Sequence, residues 1–298
     1  MKYGTDFRRD WLGILRASLA QMGVKHDPNL TDNELSFVFW NFYARYVQPR
    51  PRKVLRAKEF QCPQAVQAGL DALVLKFENG DDVNAHLSEA RLDANHEDFH
   101  DGLFNNFGIH HFHLGLRGKR SNDCLFAMVM PDAVLCVDVL PHKPAPYGNP
   151  EFVQRLHDNW PELIAHQRIN GPQPGLAPVT QPTGKEVIRA RKGHGKQGGH
   201  VEPIVRARDG SAYALGGGIS TAGVSPAVVK MSARGFREVA AWQKYFNETA
   251  DDLVAALKAE GHTLGKPPTF QFMTEDGKLF FLYESTAQVK IPLGEMHR

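Results

Sequence analysis

The sequence has few of the features that mark membrane, secreted or disulfide-bonded proteins. None of its apolar runs reaches eighteen residues, so no transmembrane helix is predicted. The first residues, MKYGTDFRRDWLG, lack the apolar core of a signal peptide, and we expect a cytoplasmic protein. The three cysteines are odd in number and show no CxxC spacing, which excludes a disulfide framework. Cys124 and Cys136 lie in apolar runs and are predicted to be buried, reduced thiols.

The charge is almost balanced, with a formal net charge of +2, which is too small to indicate a nucleic-acid partner by itself. The hydrophobic fraction of 42% is that of an ordinary globular protein, which excludes intrinsic disorder along the whole chain.

The first hundred residues are predicted to be mainly helical. Residues 6–23 place their apolar side chains on one helical stripe. A second helix begins at Thr31, where Glu34 three residues later completes a capping box. A short extended segment, KVLRAKEF, precedes a third helix that ends at Asn79-Gly80.

Three strand-like runs follow, GIHHFHLG, CLFAMVM and AVLCVDVL, and predict an antiparallel meander. The next helix begins after Asn149-Pro150 and is interrupted at Pro161. Residues 170–184 are rich in proline and glycine and predict a linker. We therefore expect an α+β protein with a first region at 1–169 and a second α+β lobe at 185–298. That lobe would contain a basic glycine loop, a long helical region (226–260) and a C-terminal hairpin.

Histidine is the residue type that stands out. Five of the fourteen histidines fall within eighteen residues, where an even distribution would place about one, and they are His96, His100, His110, His111 and His113. Strand alternation places His111 and His113 on one face and His110, Phe112 and Leu114 on the other. Because Phe112 and Leu114 favour the core, we expect His111 and His113 to face solvent or a cleft. His110 is then the partly buried, orienting histidine.

Two groups on the following hairpin complete the candidate catalytic set. A tight turn at Pro131-Asp132 would place Asp138 opposite Leu125, and His142 follows at the end of the strand. Either side chain is predicted to orient one of the two histidines.

Two imidazoles beside cations can cleave RNA through its 2′-hydroxyl without a metal or other cofactor. One histidine acts as base, the other as acid, and a cation stabilises the charged phosphorane. The cations that follow the histidine pair are Arg117, Lys119 and Arg120.

The strand runs quoted above resemble the central sheet of small ribonuclease toxins of the RelE type and their barnase-like relatives. The resemblance covers residues 105–145 and implies catalytic groups on one sheet face, with Arg or Lys neutralising the phosphate. By this resemblance His111, His113 and Arg117 are the candidate catalytic residues.

A metal site is the alternative interpretation of the same histidines. Residues 96–100 match H-E-x-x-H, although their polar context differs from that of a zinc-protease helix. The pair His111-x-His113 with His142 or Asp138 forms a better chelate. A third interpretation is that these histidines only form structural hydrogen bonds.

A second basic segment, residues 189–208, combines glycines with cations and suits a nucleic-acid backbone. The predicted nucleic-acid contacts are Arg120, Arg189, Arg191, Lys192, Lys196, Arg206 and Arg208. The leading hypothesis is thus a metal-independent endoribonuclease that acts on RNA, as in a toxin or phage-defence effector. The candidate partners are a cognate inhibitor protein and a second copy of the chain in a homodimer. No membrane association is expected. The alternatives are a non-catalytic nucleic-acid-binding protein and a metal-dependent hydrolase with histidine ligands.

Overall fold

The computed structural model describes residues 2–115, 121–142, 149, 151–169, 205–214, 220, 223–275 and 279–295. Within these ranges the fold is α+β, which confirms the predicted class. The helices are α1 (Phe7–Gln21), α2 (Asp32–Arg45), α3 (Gln67–Asn79), α4 (Gly102–Phe107), α5 (Glu151–Asn159), α6 (Pro161–Ile164) and α7 (Pro226–Ala259). The strands are β1 (Lys53–Arg56), β2 (Ile109–His113), β3 (Asp123–Val129), β4 (Ala133–Pro141), β5 (Val205–Arg206), β6 (Ala212–Tyr213), β7 (Phe270–Glu275), β8 (Leu279–Glu284) and β9 (Val289–Glu295). Short 3₁₀ helices lie at Lys2–Gly4, Gln64–Val66, Asn84–His86, Glu89–Leu92, Glu97–His100 and Ala165–Gln167.

The chain divides into two compact units, one of Met1–Trp40 with Val228–Arg298 and the other of Asn41–Ala227. The sequence suggested a different grouping, with a boundary at 170–184, and that segment lies outside the described residues. None of the helices in the described ranges combines the length and apolar character that crossing a bilayer requires.

The first unit is built on aromatic packing between distant parts of the sequence. The Phe7 ring of α1 lies 5.5 Å from that of Phe246 in α7 and 5.2 Å from that of Phe272 in β7, measured between ring centres. Strands β7, β8 and β9 form an antiparallel sheet, so the predicted C-terminal hairpin is present and a third strand extends it. The predicted capping box also forms, because the Thr31 amide donates to Glu34 Oε2 at 2.8 Å.

The second unit contains a four-stranded sheet in the order β1-β4-β3-β2. The predicted meander is confirmed, since β2–β3 and β3–β4 pair antiparallel, while β1 pairs parallel with β4. Helix α3 covers one face through a core that includes Phe77 and Phe112. Helices α4, α5 and α6 cover the other face through a core that includes Phe126 and Phe152. Both faces are therefore buried, which explains why the strand sequences are almost continuously apolar.

One irregularity in this sheet changes the position of Asp138. Phe126 pairs with Asp138 and Ala127 pairs with Cys136, so Val137 is the extra residue of a bulge in β4. Leu125 pairs with Val139. The prediction that Asp138 lies opposite Leu125 is wrong. It assumed a regular hairpin register, whereas the bulge shifts Asp138 by one position, so that it lies opposite Phe126.

Candidate metal centre

Three histidines converge on the sheet face that α5 also covers. His111, His113 and His142 each offer one ring nitrogen, and these three nitrogens lie within 4.8 Å of one another. The ring centre of His142 is 5.2 Å from that of His111 and 5.2 Å from that of His113. The nitrogens around a single tetrahedral zinc ion are about 3.4 Å apart. The separation of the three nitrogens is therefore of the order that one ion requires.

The strand register explains how residues on β2 and β4 meet across β3. His111 pairs with Phe126 and His113 pairs with Cys124, so both histidines project on the same side as predicted. His142 directly follows β4, and its amide donates to the Asn122 carbonyl, which continues the pairing of β3 with β4. Cys124 pairs with Leu140 on its other side, and its small side chain leaves room for the His113 and His142 rings to meet.

The three imidazoles differ in exposure. His111 is buried, with 4% of its surface exposed, whereas His113 and His142 are half-buried. The expectation was that His111 faces solvent or a cleft, and His111 does not face solvent, because α4 and α5 cover this face of the sheet as well. His113 and His142 thus retain exposed surface, whereas His111 has almost none.

A carboxylate lies behind His111. Asp101 Oδ2 is 3.5 Å from His111 Nδ1, and the Asp101 side chain is only 15% exposed. The other carboxylate oxygen, Oδ1, accepts hydrogen bonds from the Leu103 and Phe104 amides at 3.1 and 3.2 Å and so caps α4. Asp101 has a φ of 31°, a conformation that residues other than glycine rarely adopt.

The surroundings of Asp101 keep it ionised. Burial alone would raise the pKa of Asp101, but His111, Arg45 and the hydrogen bond from the Phe104 amide outweigh burial and hold the pKa below its usual value. Arg45 is itself buried at the end of α2, and burial lowers its pKa to about 10. Its guanidinium lies 5.0 Å from the ring centre of Phe99.

His113 is held by hydrogen bonds to its ring and to its backbone. Its Nδ1 lies 3.2 Å from the Ser121 carbonyl oxygen and 3.4 Å from Cys124 Sγ. A carbonyl oxygen only accepts, so the Ser121 contact favours a proton on Nδ1 and leaves Nε2 for a ligand. The carbonyl of His113 accepts a hydrogen bond from His86 Nδ1 at 2.9 Å.

His110 does not orient the cluster as predicted. It lies on the opposite face, where its ring stacks 5.7 Å from that of Phe112, and Nε2 contacts the Arg45 carbonyl oxygen at 3.3 Å. Burial lowers the pKa of His110 to about 4, so this side chain is neutral at physiological pH.

Asp138 also has a role other than the predicted one. Its Oδ2 forms an ion pair with Arg155 Nη1 at 2.6 Å, and its Oδ1 accepts from the Val139 amide at 2.9 Å. Strand β3, with Phe126, lies between Asp138 and His111. Its carboxylate is therefore committed to Arg155 of α5 and does not orient a histidine.

The H-E-x-x-H match does not form the helix that a zinc-protease motif requires. Residues Glu97–His100 form a 3₁₀ helix, in which side chains four positions apart do not lie above one another. Burial lowers the pKa of His100, followed by a smaller effect of Arg45. Among the residues described, His111, His113 and His142 are the one group identified as able to hold a metal.

Most of the predicted phosphate contacts lie outside the described residues: Arg117, Lys119, Arg120, Arg189, Arg191, Lys192 and Lys196. Arg206 and Arg208 are described and flank Ala207 near β5. Arg208 Nη2 donates to both carboxylate oxygens of Glu151, at 2.8 and 2.9 Å. This ion pair joins the loop to α5.

Comparisons with known proteins give no assignment, because no protein-family model, curated protein or solved structure matches this chain. The site must therefore be interpreted from its own chemistry. Asp101 is the residue that sequence reasoning missed. The only signal for it was an aspartate directly before the short run GLFNNF, which is the position of a helix N-cap.

Proposed function

We propose that this protein is a metal-dependent hydrolase whose catalytic ion is bound by His111, His113 and His142. The observation that carries the proposal is the convergence of three imidazole nitrogens within 4.8 Å at one end of the four-stranded sheet. Neutral imidazoles bind zinc and other late first-row transition metals well.

Three neutral ligands leave the full charge of a divalent ion in the site. A tetrahedral ion with three protein ligands keeps a fourth position for water, and the ion lowers the pKa of that water to about 7. His113 and His142 are half-buried, so the group of ligands is not fully enclosed among the described residues. Bound by His111, His113 and His142, such an ion would supply an activated water for hydrolysis, in which the water adds to a carbonyl or phosphoryl centre and the bond to the leaving alcohol or amine breaks.

The same histidines were predicted to act as an acid–base pair in metal-independent RNA cleavage. That mechanism needs one imidazole protonated beside a neutral one. With His142 in contact with both His111 and His113, a protonated ring lies against two more imidazoles. In an acid–base pair His142 would only orient one of the other two rings, whereas its nitrogen completes a set of three metal ligands, which is why the metal-dependent reaction is favoured.

The test begins with elemental analysis of protein purified without added metal and of stripped protein after incubation with zinc, cobalt, manganese or iron salts. We expect about one transition-metal ion per chain in the wild type. We expect its loss in His142→Ala and retention in His166→Ala, which replaces an exposed histidine of the same unit. Hydrolysis of RNA, of a phosphodiester and of a carboxylic ester is then measured with and without a chelator.

Two results would overturn the proposal. A folded wild-type protein that binds none of these metals at micromolar concentration has no such centre. RNA cleavage that resists the chelator but is lost in His111→Ala or His113→Ala would instead support the metal-independent ribonuclease.

A further inference from the structure

We infer that Asp101 is the positioning residue of this centre and holds His111 with its proton on Nδ1, so that Nε2 is free to bind the ion. The consequence for metal binding rests on the proposed function, whereas the consequence for the proton on His111 rests on geometry alone. Asp101 does not belong to the group of ligands itself.

The contact between the two side chains favours one tautomer of His111. Asp101 Oδ2 is 3.5 Å from Nδ1, an ion-pair distance at which the geometry of a hydrogen bond is not met, and an ionised carboxylate carries negative charge with no proton to donate. The Nδ1–H form is therefore attracted to the carboxylate, whereas the Nε2–H form would turn a nitrogen lone pair toward a negative charge. Carboxylates that contact metal-binding histidines in this way fix the ring orientation and raise the basicity of the ligand nitrogen.

Asp101 is held firmly enough to play this part. Its Oδ1 accepts from two amides of the first turn of α4, so the direction of Oδ2 is fixed by the helix cap. The backbone at Asp101 adopts its φ of 31°, which costs free energy that the surrounding contacts must offset. Strain of this kind at a side chain that contacts a ligand histidine is typical of functional sites.

Asp101 is the carboxylate in contact with His111. Asp138 cannot substitute for it, because its carboxylate is paired with Arg155 on α5.

Two variants separate the roles of Asp101. Asp101→Gly removes the carboxylate, and glycine tolerates the positive φ and is itself an accepted N-cap residue. Asp101→Asn keeps the cap and an oxygen acceptor but removes the charge. Asp209→Asn is the matched control, since it neutralises a carboxylate that lies 3.3 Å from Nε2 of His157, outside the cluster.

The first measurement is the tautomer of His111 in metal-free protein, read from ring-nitrogen NMR of isotope-labelled histidine. We expect mainly Nδ1–H in the wild type and in Asp209→Asn, a shift toward Nε2–H in Asp101→Gly, and an intermediate result in Asp101→Asn. The second measurement is zinc affinity by competition with a chromophoric chelator. We expect a loss of about 10- to 100-fold in Asp101→Gly, a smaller loss in Asp101→Asn and none in Asp209→Asn.

The outcomes distinguish this inference from the proposed function. An unchanged His111 tautomer in folded Asp101→Gly and Asp101→Asn overturns the positioning role, as does wild-type zinc affinity in both variants. A wild type that binds no metal but loses its Nδ1–H preference in Asp101→Gly overturns the proposed function and leaves the positioning role standing.

Discussion

His86 donates a hydrogen bond from Nδ1 to the carbonyl oxygen of His113 at 2.9 Å. This bond requires a proton on Nδ1 of His86, because a carbonyl oxygen only accepts, and the other ring nitrogen is Nε2. Lys76 Nζ lies 3.3 Å from that Nε2 and supplies the matching donor. The 3₁₀ helix at Asn84–His86 is in this way tied to the end of β2, where one of the three candidate ligands lies.

The first prediction concerns this tie. We expect His86→Ala to lower zinc affinity about 3- to 10-fold, because the loss of one hydrogen bond of about 1 kcal/mol loosens the backbone that positions His113. His86→Asn should retain most of the affinity, since its amide can donate to the same carbonyl. Competition titration with a chelator measures both variants, and equal affinities for His86→Ala and the wild type would show that the tie does not affect the site.

The second prediction concerns the close packing of α3 against the residue after His113. A Cβ added at Gly69 would lie 1.9 Å from the Leu114 carbonyl oxygen, a backbone atom that cannot turn aside. We expect Gly69→Ala to lower the free energy of unfolding by about 3 kcal/mol and to weaken metal binding, since overpacking displaces backbone. The matched variant is Gly13→Ala in α1, where no atom lies within 4 Å of the added Cβ.

For Gly13→Ala we expect a gain of about 1 kcal/mol, because alanine is the better helix former. Urea unfolding followed by circular dichroism compares the two variants. Similar stabilities for both would mean that the backbone at Leu114 yields easily and that α3 does not fix this end of β2.

The third prediction separates Asp138 from the metal centre. Its ion pair with Arg155 is mostly buried, with side-chain exposures of 9% and 24%. Breaking one partner of such a pair leaves the other charge uncompensated, so we expect Asp138→Asn to cost roughly 2–3 kcal/mol of unfolding free energy. We expect its metal content to equal that of the wild type.

The control for this variant is Glu275→Gln, which breaks the exposed pair with Lys290 and should cost less than about 1 kcal/mol. Loss of metal from folded Asp138→Asn would show that Asp138 contributes to the histidine site, as the sequence suggested.

The fourth prediction concerns the pH dependence of stability in metal-free protein. Burial lowers the pKa of His110 from 6.5 to about 4, so the folded state releases a proton that the unfolded state holds. His110 therefore does not change the free energy of unfolding above about pH 6.5, and it lowers that free energy as the pH falls from 6.5 toward 4. Below that window the protonation of Asp101, whose pKa is also lowered, removes further stability.

We expect His110 to account for a loss of about 3 kcal/mol between pH 7 and pH 4, measured by urea unfolding in the presence of a chelator. His110→Gln keeps a donor for the Arg45 carbonyl but does not titrate, so its decline should be smaller by that amount. An identical decline in both proteins would assign the acid sensitivity to other groups.

The sequence predicted the local parts of this structure well, for physical reasons. Thr31 begins α2 through hydrogen bonds with Glu34 three residues later, so its signal is local. The meander strands are apolar on both faces because helices cover both faces. Strand alternation alone placed His111 and His113 on one face.

The remaining features depend on contacts between distant residues. The bulge at Val137 moves Asp138 by one position without any marker in the sequence. Asp101 contacts His111 only because α4 turns the chain back onto β2. The grouping of residues 1–40 with 228–298 joins the two ends of the chain, which local patterns do not report.

The meeting of His113 and His142 across β3 has a consequence for folding. The two residues are separated by roughly 30 residues of chain, so an ion held by both closes that loop as a cross-link does. The unfolded chain has no preformed site of this kind, and a metal bound only by the folded form slows the separation of the meander. The lifetime of the folded meander would then depend on the supply of the metal as well as on the sequence.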